Sequence, residues 1–149
     1  MAMSQYITFN IKDHLVGIDI KDVREINRVL DITPVQHAPD YVRGLINLRG
    51  NTVTIFDLAV RIGFEKREIT EESHNIILKK DAVGLVVDNI GDVVEAHESE
   101  IEIPPANLKG IKARFVEGVK KLNEDLLIIL AAKKILEYDP MHKEKEKEI

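Results

Sequence analysis

The sequence contains no cysteine and no excess of positive charge. Without cysteine, the chain cannot form disulfides, thiolate metal sites or cysteine nucleophiles, and a reducing compartment is favoured. Its 21 lysines and arginines stand against 26 aspartates and glutamates, for a net charge of −5. A chain with this balance and no basic stripe is repelled by a phosphate backbone, so we expect no nucleic-acid partner.

Long apolar segments and targeting signals are also missing. The longest apolar run, residues 126–132, is far shorter than the roughly 20 residues that a membrane helix needs. The N-terminus has no basic flank followed by an apolar core, so it is no signal peptide. Apolar residues nevertheless make up 44% of the chain, enough for a packed interior. We expect a cytoplasmic protein that does not insert into a membrane.

Sequence motifs that carry catalysis are absent. The chain has no glycine-rich dinucleotide or phosphate loop, no H-E-x-x-H and no G-x-S-x-G. The acidic run over residues 95–102 is typical of a solvated strand edge rather than a cation site. The histidines lack helical ligand spacing and favour surface positions; they are His14, His37, His74, His97 and His142. We therefore expect no enzyme activity, no cofactor and no metal.

Short strand patterns dominate the chain. Residues 5–11 alternate as a half-buried strand does, and similar runs recur at tight spacing, which favours barrels or sandwiches. Asp57 can cap a short helix over Leu58–Ile62 that Gly63 stops, and residues 132–139 are predicted to be helical. A further helical turn is predicted over residues 21–29, with Asp22 as its cap.

Two stretches of the sequence share one apolar framework. Residues 41–58 align with residues 115–132, and a shorter match aligns Gly17 with Gly84. The pairs in the longer match include Val42 with Val116, Gly44 with Gly118, Leu48 with Leu122, and Ile55 with Ile129. The glycine matches are the most informative, because glycine inside a strand costs stability. These matches indicate that one strand-rich unit is duplicated in the chain. We predict two small β-barrels over residues 1–72 and 73–138, and a flexible charged tail over residues 139–149.

The pair Arg49 and Gly50 occurs in only one copy; the other copy has Asn123 and Glu124. On residue types alone, a hairpin turn with an exposed arginine is the simpler interpretation, since Gly50 can adopt positive φ. The alternative is that Arg49 is a fixed charge beside an apolar interface, where arginine is common. Glu25 is then its nearest oppositely charged partner by type, although an ordinary exposed helix residue is the simpler interpretation of Glu25.

Four stretches carry a pattern that runs from about residue 5 to residue 136: VGIDIKDVREI, YVRGLINLRGNTVTIFDL, AVGLVVDNIGDVV and FVEGVKKLNEDLLIIL. This pattern resembles the CheW-like family of chemotaxis coupling proteins, and G-x-x-N-L-R-G is its most specific part. The resemblance implies a mainly β fold of two tandem five-stranded SH3-like β-barrels packed together, with short helices and a C-terminal helix. It also implies an adaptor without catalysis that joins the cytoplasmic tip of methyl-accepting chemoreceptors to the regulatory domain of the histidine kinase CheA, at membrane-associated receptor arrays.

The resemblance further implies which residues contact partners. Receptor contact, in the groove between the barrels, maps to Val23, Glu25, Gly44, Arg49, Gly50, Gly84, Val93 and Gly118. Kinase contact maps to Arg43 and Thr52. Thr54 stands where the family often has proline, Ala131 or Ala132 where aspartate is common, and Asn89 where a small turn residue is usual. These departures bear on partner choice more than on fold.

Two other functions remain open from the sequence. A related coupling protein of a non-flagellar chemosensory pathway would use the same residues. A small-ligand-binding module would use the cleft between the barrels and would need convergent polar or titratable groups there.

Overall fold

The computed structural model describes residues 3–29, 31–106, 108 and 110–137, so the predicted tail lies outside the described residues. The strands are β1 Met3–Ile11, β2 His14–Asp19, β3 Val23–Arg28, β4 Val42–Leu48, β5 Asn51–Asp57, β6 His74–Leu78, β7 Val83–Val87, β8 Val93–His97, β9 Val116–Lys121 and β10 Leu126–Leu130. The α-helices of the described part are α1 Leu58–Ile62 and α2 Ala132–Leu136. Single 3-10 turns cover Ile20–Asp22, Glu98–Glu100 and Ala113–Phe115.

The strands form two five-stranded sheets. Sheet I has the order β8-β1-β2-β10-β9, and sheet II has the order β3-β6-β7-β5-β4. Neighbouring strands are antiparallel except for one parallel pair in each sheet, β2 with β10 and β5 with β7. The prediction of a mainly β fold with two five-stranded units and short helices is confirmed.

The sheets do not follow the predicted division into residues 1–72 and 73–138. Sheet I combines the β1–β2 hairpin with β8, β9 and β10, whereas sheet II combines the β6–β7 hairpin with β3, β4 and β5. Each duplicated unit therefore gives its first hairpin to the other unit's sheet. This exchange corrects the predicted boundary, because no cut at residue 72 separates one sheet from the other.

The duplication itself is visible in the strand register. Gly17 lies opposite Ile129 in sheet I, and Gly84 lies opposite Ile55 in sheet II. Both sheets also have an irregularity at the matching place, where Arg43 or Glu117 is the extra residue on its strand, and sheet II has a further one at Arg24. A β-bulge of this kind bends the strand and increases its twist. The bulge in sheet II lies directly before Gly44, at the start of β4.

An isolated bridge links the two edges of each sheet. The segment after edge strand β3 meets edge strand β4, where Thr33 and Leu45 exchange two backbone hydrogen bonds of 2.8 Å. In sheet I, Glu102 and Val119 exchange bonds of 2.8 and 3.0 Å in the same way. These bridges curl each sheet toward closure and satisfy backbone groups that an open edge would expose.

The hydrophobic core has three parts. The largest lies between the sheets and contains residues of both, among them Phe9, Ile18, Leu85 and Phe115. A smaller cluster around Ile55 and Ile77 fills the inside of sheet II, and one around Tyr6 and Leu127 fills sheet I. Strands β6, β7 and β10 bury side chains alternately in the central part and in an end cluster, as period-2 geometry requires. The two sheets thus depend on one shared interior.

A buried arginine joins the ends of the two units. Arg61 of α1 is 3% exposed; its Nε donates to the Ile135 carbonyl at 2.9 Å and its Nη2 to the Glu137 carbonyl at 2.6 Å. Its guanidinium lies 4.4 Å from the ring centre of Tyr41 and 4.7 Å from that of Phe115. These contacts fix the C-terminal turn of α2 against the first unit.

The helical turn predicted over residues 21–29 is wrong. A 3-10 turn over Ile20–Asp22 is capped by Asp19, whose side chain accepts the Lys21 amide, and β3 follows directly. Pairing with β6 overrides the local spacing of apolar residues. The predicted helix α1 is confirmed, with Asp57 as its cap and Gly63 at φ +123° as its end.

Candidate functional site

A two-residue turn presents Arg49 at the end of the β4–β5 hairpin. Leu48 pairs with Asn51 across the turn, and Arg49 and Gly50 have φ of +50° and +86°. Two consecutive residues with positive φ match the twist of antiparallel strands. The side chain of Asn47 accepts the Gly50 amide at 2.9 Å and fixes the turn.

Arg49 and Glu25 form an ion pair across sheet II. Nη2 of Arg49 lies 2.7 Å from Oε1 and 2.5 Å from Oε2 of Glu25. Glu25 lies on edge strand β3, whereas Arg49 follows β4 at the opposite edge, so the pair crosses the mouth of the curled sheet. The Arg49 side chain is 67% exposed and that of Glu25 is 25% exposed. An exposed pair adds little stability, but it leaves a fixed charge available to a partner.

Asn27 is the second partner of Glu25. Its Nδ2 donates to Glu25 Oε1 at 2.9 Å. Hydrogen bonds from Asn27 and then from Arg49 lower the pKa of Glu25 below its ordinary value, because both favour the carboxylate over the acid. Glu25 is therefore ionised and oriented at neutral pH.

A fully buried asparagine, Asn75, lies next to Asn27. Asn75 of β6 is directly opposite Asn27 in the strand register, and its amide nitrogen and oxygen have no hydrogen-bond partner among the described residues. Directly opposed residues point to the same face of a sheet. Glu25, Asn27 and Asn75 therefore share the inner face of sheet II.

The matching positions of sheet I are different in chemistry. Its register places Val94 opposite Tyr6, where sheet II has Asn27 opposite Asn75. Its hairpin turn carries Asn123 and Glu124 in place of Arg49 and Gly50. Tyr6 and Val94 belong to the apolar cluster of sheet I. The two sheets therefore share one topology but differ at the positions where sheet II carries Asn27 and Asn75.

Three glycines that the resemblance assigned to receptor contact are buried within the sheets. A Cβ on Gly84 would lie 2.8 Å from Ile77 and 2.9 Å from Ile55, and one on Gly118 would lie 2.5 Å from Ile101. Gly44 has φ +146°, and a Cβ there would collide with the Thr33 carbonyl. These glycines allow close packing and strand closure.

The remaining residues assigned to receptor contact are spread over the fold. Val23 is 9% exposed and packs in the central core, although it shares β3 with Glu25. Val93 is 50% exposed but lies on β8 of sheet I. The structure therefore brings Glu25, Arg49 and Gly50 together and leaves Val93 on the other sheet.

The two residues assigned to kinase contact lie toward opposite ends of the β4–β5 hairpin. Thr52 is exposed, close in sequence to the Arg49 turn. Arg43 is at the bulge near the other end; its Nε lies 3.0 Å from Asp57 Oδ2, and its Nη2 donates to the Arg67 carbonyl. Only 14% of the Arg43 side chain is exposed. Its contacts hold the bulge against the cap of α1.

Sequence reasoning missed Asn27 and Asn75. Reading residues 21–29 as helical hid the fact that Glu25 and Asn27 are two apart on one strand face. The spacing of two positions between Glu25 and Asn27 was the available signal, because residues at that spacing lie on one face of a strand.

A concave region of the described part lies away from this group. A cavity of about 590 Å³ is formed at the turn ends of the β1–β2 and β9–β10 hairpins. It is lined by Asn10, Asp13, His14, Leu15, Leu108, Lys121, Leu122, Asn123, Glu124, Asp125, Leu126 and Ile128. Among the described residues, no group of three or more histidines or carboxylates is placed to hold a metal ion, and no helix has the length and apolar character needed to cross a membrane.

Comparison with known proteins assigns the family. The model of the CheW-like domain matches residues 5–139. The chain belongs to the CheW-like family. A CheW-like relative, the chemotaxis protein CheW of Treponema pallidum, is 33% identical over 147 residues, covering 93% of this chain and 85% of the relative. The chemotaxis protein CheW of Bacillus subtilis is 32% identical over 133 residues, covering 88% and 85%.

A solved structure shares the CheW-like fold. The crystal structure of the scaffolding protein TtCheW from Thermoanaerobacter tengcongensis superposes with a TM-score of 0.83 at 32% identity. The match covers 93% of this chain and 91% of that one. The CheW-like architecture of two five-stranded sheets is therefore common to both chains.

Proposed function

We propose that this chain is a chemotaxis adaptor that couples chemoreceptor cytoplasmic tips to the regulatory domain of the histidine kinase CheA. It acts in the cytoplasm, at membrane-associated receptor arrays, and catalyses no reaction. Membership of the CheW-like family and likeness to chemotaxis and scaffolding proteins over nearly the whole chain support this proposal. The observation that carries it is the exposed Arg49–Glu25 pair, which only one of the two duplicated sheets contains.

The receptor contact is centred on Glu25, Arg49 and Gly50. A guanidinium with a fixed position and a large exposed surface is suited to pairing with a carboxylate or a carbonyl of a partner helix. Val23 supports β3 from within, while Gly44, Gly84 and Gly118 act through the backbone that they allow to pack. Val93 extends the receptor contact on sheet I as an exposed apolar side chain.

The kinase contact uses the β4–β5 hairpin. Thr52 offers an exposed hydroxyl on β5, and Arg43 holds the bulge through Asp57. Arg43 therefore contributes by shaping the hairpin surface. Micromolar affinity at each contact, about −8 kcal/mol, is enough for assembly when many copies in an array add avidity.

The substitution Arg49→Glu tests the receptor contact. It places a second carboxylate beside Glu25 and removes the exposed positive charge, so affinity for a soluble receptor-tip fragment is expected to fall at least about tenfold. Isothermal titration calorimetry measures the affinity, and circular dichroism measures the fold. Unchanged affinity in a folded variant refutes the assignment.

Arg28→Glu is the matched control. Arg28 is an exposed arginine of β3, three residues from Glu25 and on the opposite face, and it donates to the Glu71 carbonyl at 3.2 Å. The charge change is identical, so a general electrostatic effect lowers affinity equally in both variants. A site-specific effect appears only in Arg49→Glu.

A further inference from the structure

We propose that Asn27 is a positioning residue of the Arg49 site and that it acts through Glu25. Its amide holds one carboxylate oxygen of Glu25, so that both oxygens face the Arg49 guanidinium. This inference rests on the proposed function, since the site that Asn27 positions is the receptor contact. Nothing in the family resemblance pointed to this residue.

The contact geometry places Asn27 and Arg49 on the same carboxylate of Glu25. Asn27 and Glu25 are neighbours on one face of β3, and the amide donates at 2.9 Å to the oxygen that also lies 2.7 Å from Arg49. A glutamate has three rotatable side-chain bonds, and a second hydrogen bond restricts them. The carboxylate then presents a fixed partner to Arg49, and the guanidinium of Arg49 is held in one orientation toward solvent.

The comparison of the two sheets indicates that this polar group is not needed for folding. Sheet I carries Val94 and Tyr6 at the positions of Asn27 and Asn75, and it closes with the same kind of bridge. The two edge strands differ in one respect, since β3 has a bulge at Arg24 that β8 lacks. Burying an amide without a partner costs free energy that the apolar pair avoids. Sheet II nevertheless keeps asparagine at both positions, beneath the only one of the two hairpin turns that carries the Arg-Gly pair.

Two nearly isosteric variants separate donor chemistry from packing. Asn27→Val introduces the residue that sheet I uses and removes the donor, whereas Asn27→Thr has the same shape as valine but keeps a hydroxyl donor. Asn10→Val, on an exposed asparagine of β1, is the control for losing an amide from a strand surface.

The first measurement is the Glu25 pKa in the free protein, which is determined by an NMR titration of its side-chain carboxyl carbon. The second is affinity for the receptor-tip fragment. In Asn27→Val, the Glu25 pKa is expected to rise toward its ordinary value and affinity to fall about fivefold, as expected for one hydrogen bond of ordinary net strength. Asn27→Thr is expected to lie between Asn27→Val and the unmodified protein, and Asn10→Val to change neither quantity.

Two results would overturn the inference. One is an Asn27→Val protein with an unchanged Glu25 pKa. The other is a raised pKa with unchanged affinity, which would make the contact purely local. If the unmodified protein does not bind the receptor fragment at all, the proposed function fails instead, and the carboxyl titration of the free protein still decides whether Asn27 positions Glu25. If Asn27→Val does not fold, Asn27→Ala, which also lacks a side-chain donor, takes its place, and the same two results decide.

Discussion

At the scale of single residues, glycines and charges play separate roles in the proposed site. Gly44 and Gly50 both have positive φ, yet a Cβ on Gly44 meets the Thr33 carbonyl, whereas one on Gly50 meets nothing within 4 Å. Gly44 therefore serves closure of sheet II, and Gly50 serves the turn that presents Arg49. Loss of binding on mutation would have a different cause at each position.

The pair Gly44→Ala and Gly50→Ala tests this difference. Gly44→Ala combines backbone strain with a collision against main chain and is expected to lower the free energy of unfolding by about 3 kcal/mol or more. Gly50→Ala adds strain alone and is expected to cost about 1 kcal/mol. Chemical denaturation of both variants measures the costs. Equal costs would show that the Thr33 contact does not constrain Gly44.

The residue scale is also where the sequence was most informative. Residue type identified Glu25 as an oppositely charged candidate partner of Arg49, although an exposed helix residue was the favoured interpretation, and the structure places the two in contact. The burial of Gly44, Gly84 and Gly118 could not be predicted from the sequence, because it depends on which segment packs over each glycine. Asn27 was missed because its role exists only on a strand.

At the scale of elements, the two bulges have diverged. In sheet II the bulged Arg43 pairs with Asp57, the cap of α1. In sheet I the bulged residue is Glu117, and Ala131 stands in the cap position of α2 without a side-chain hydrogen bond. Partial desolvation, followed by the charges of Asp19 and Asp22, raises the pKa of Glu117. The carboxylate at this bulge is therefore a source of instability at neutral pH.

Glu117→Gln is expected to stabilise the protein at pH 7. A carboxyl whose pKa is raised by folding lowers stability as pH rises from its ordinary value, near 4.3, through the raised value. The variant lacks this loss, so its advantage is present at pH 7 and vanishes below about pH 4. Because Glu117 is exposed, the gain is expected to stay below about 1 kcal/mol.

Urea unfolding between pH 3.5 and 8 measures the difference. Glu124→Gln, an exposed glutamate in the β9–β10 turn, controls for the change in net charge. An advantage of Glu117→Gln that persists at low pH, or an equal one in Glu124→Gln, would contradict the local explanation.

At the scale of the whole molecule, the exchange of hairpins makes the two sheets one cooperative unit. Each sheet contains strands from both duplicated units, and the largest core cluster lies between them. The sequence predicted the duplication because aligned glycines and aliphatic residues recur in order. It did not predict the exchange, because a hairpin has the same local pattern in either sheet and only its long-range partners differ.

Fragments cut at the predicted boundary test this arrangement. Residues 1–72 contain β1–β5, and residues 73–149 contain β6–β10. Neither fragment contains all five strands of either sheet. Each fragment alone is expected to be unfolded by circular dichroism and amide NMR, and an equimolar mixture is expected to regain the native spectrum. A fragment that folds alone, with dispersed amide signals, would show that its strands form a sheet independently.

The central claim is that sheet II, through the turn at Arg49 and Gly50, faces the receptor, while the equivalent turn of sheet I at Asn123 and Glu124 does not. Amide chemical-shift mapping during titration with a receptor-tip fragment compares the two turns within one experiment. The account predicts saturable shifts at Glu25, Arg49 and Gly50 and none at Asn123 and Glu124. Shifts centred on the Asn123 turn, with Arg49 and Glu25 unmoved, would contradict it.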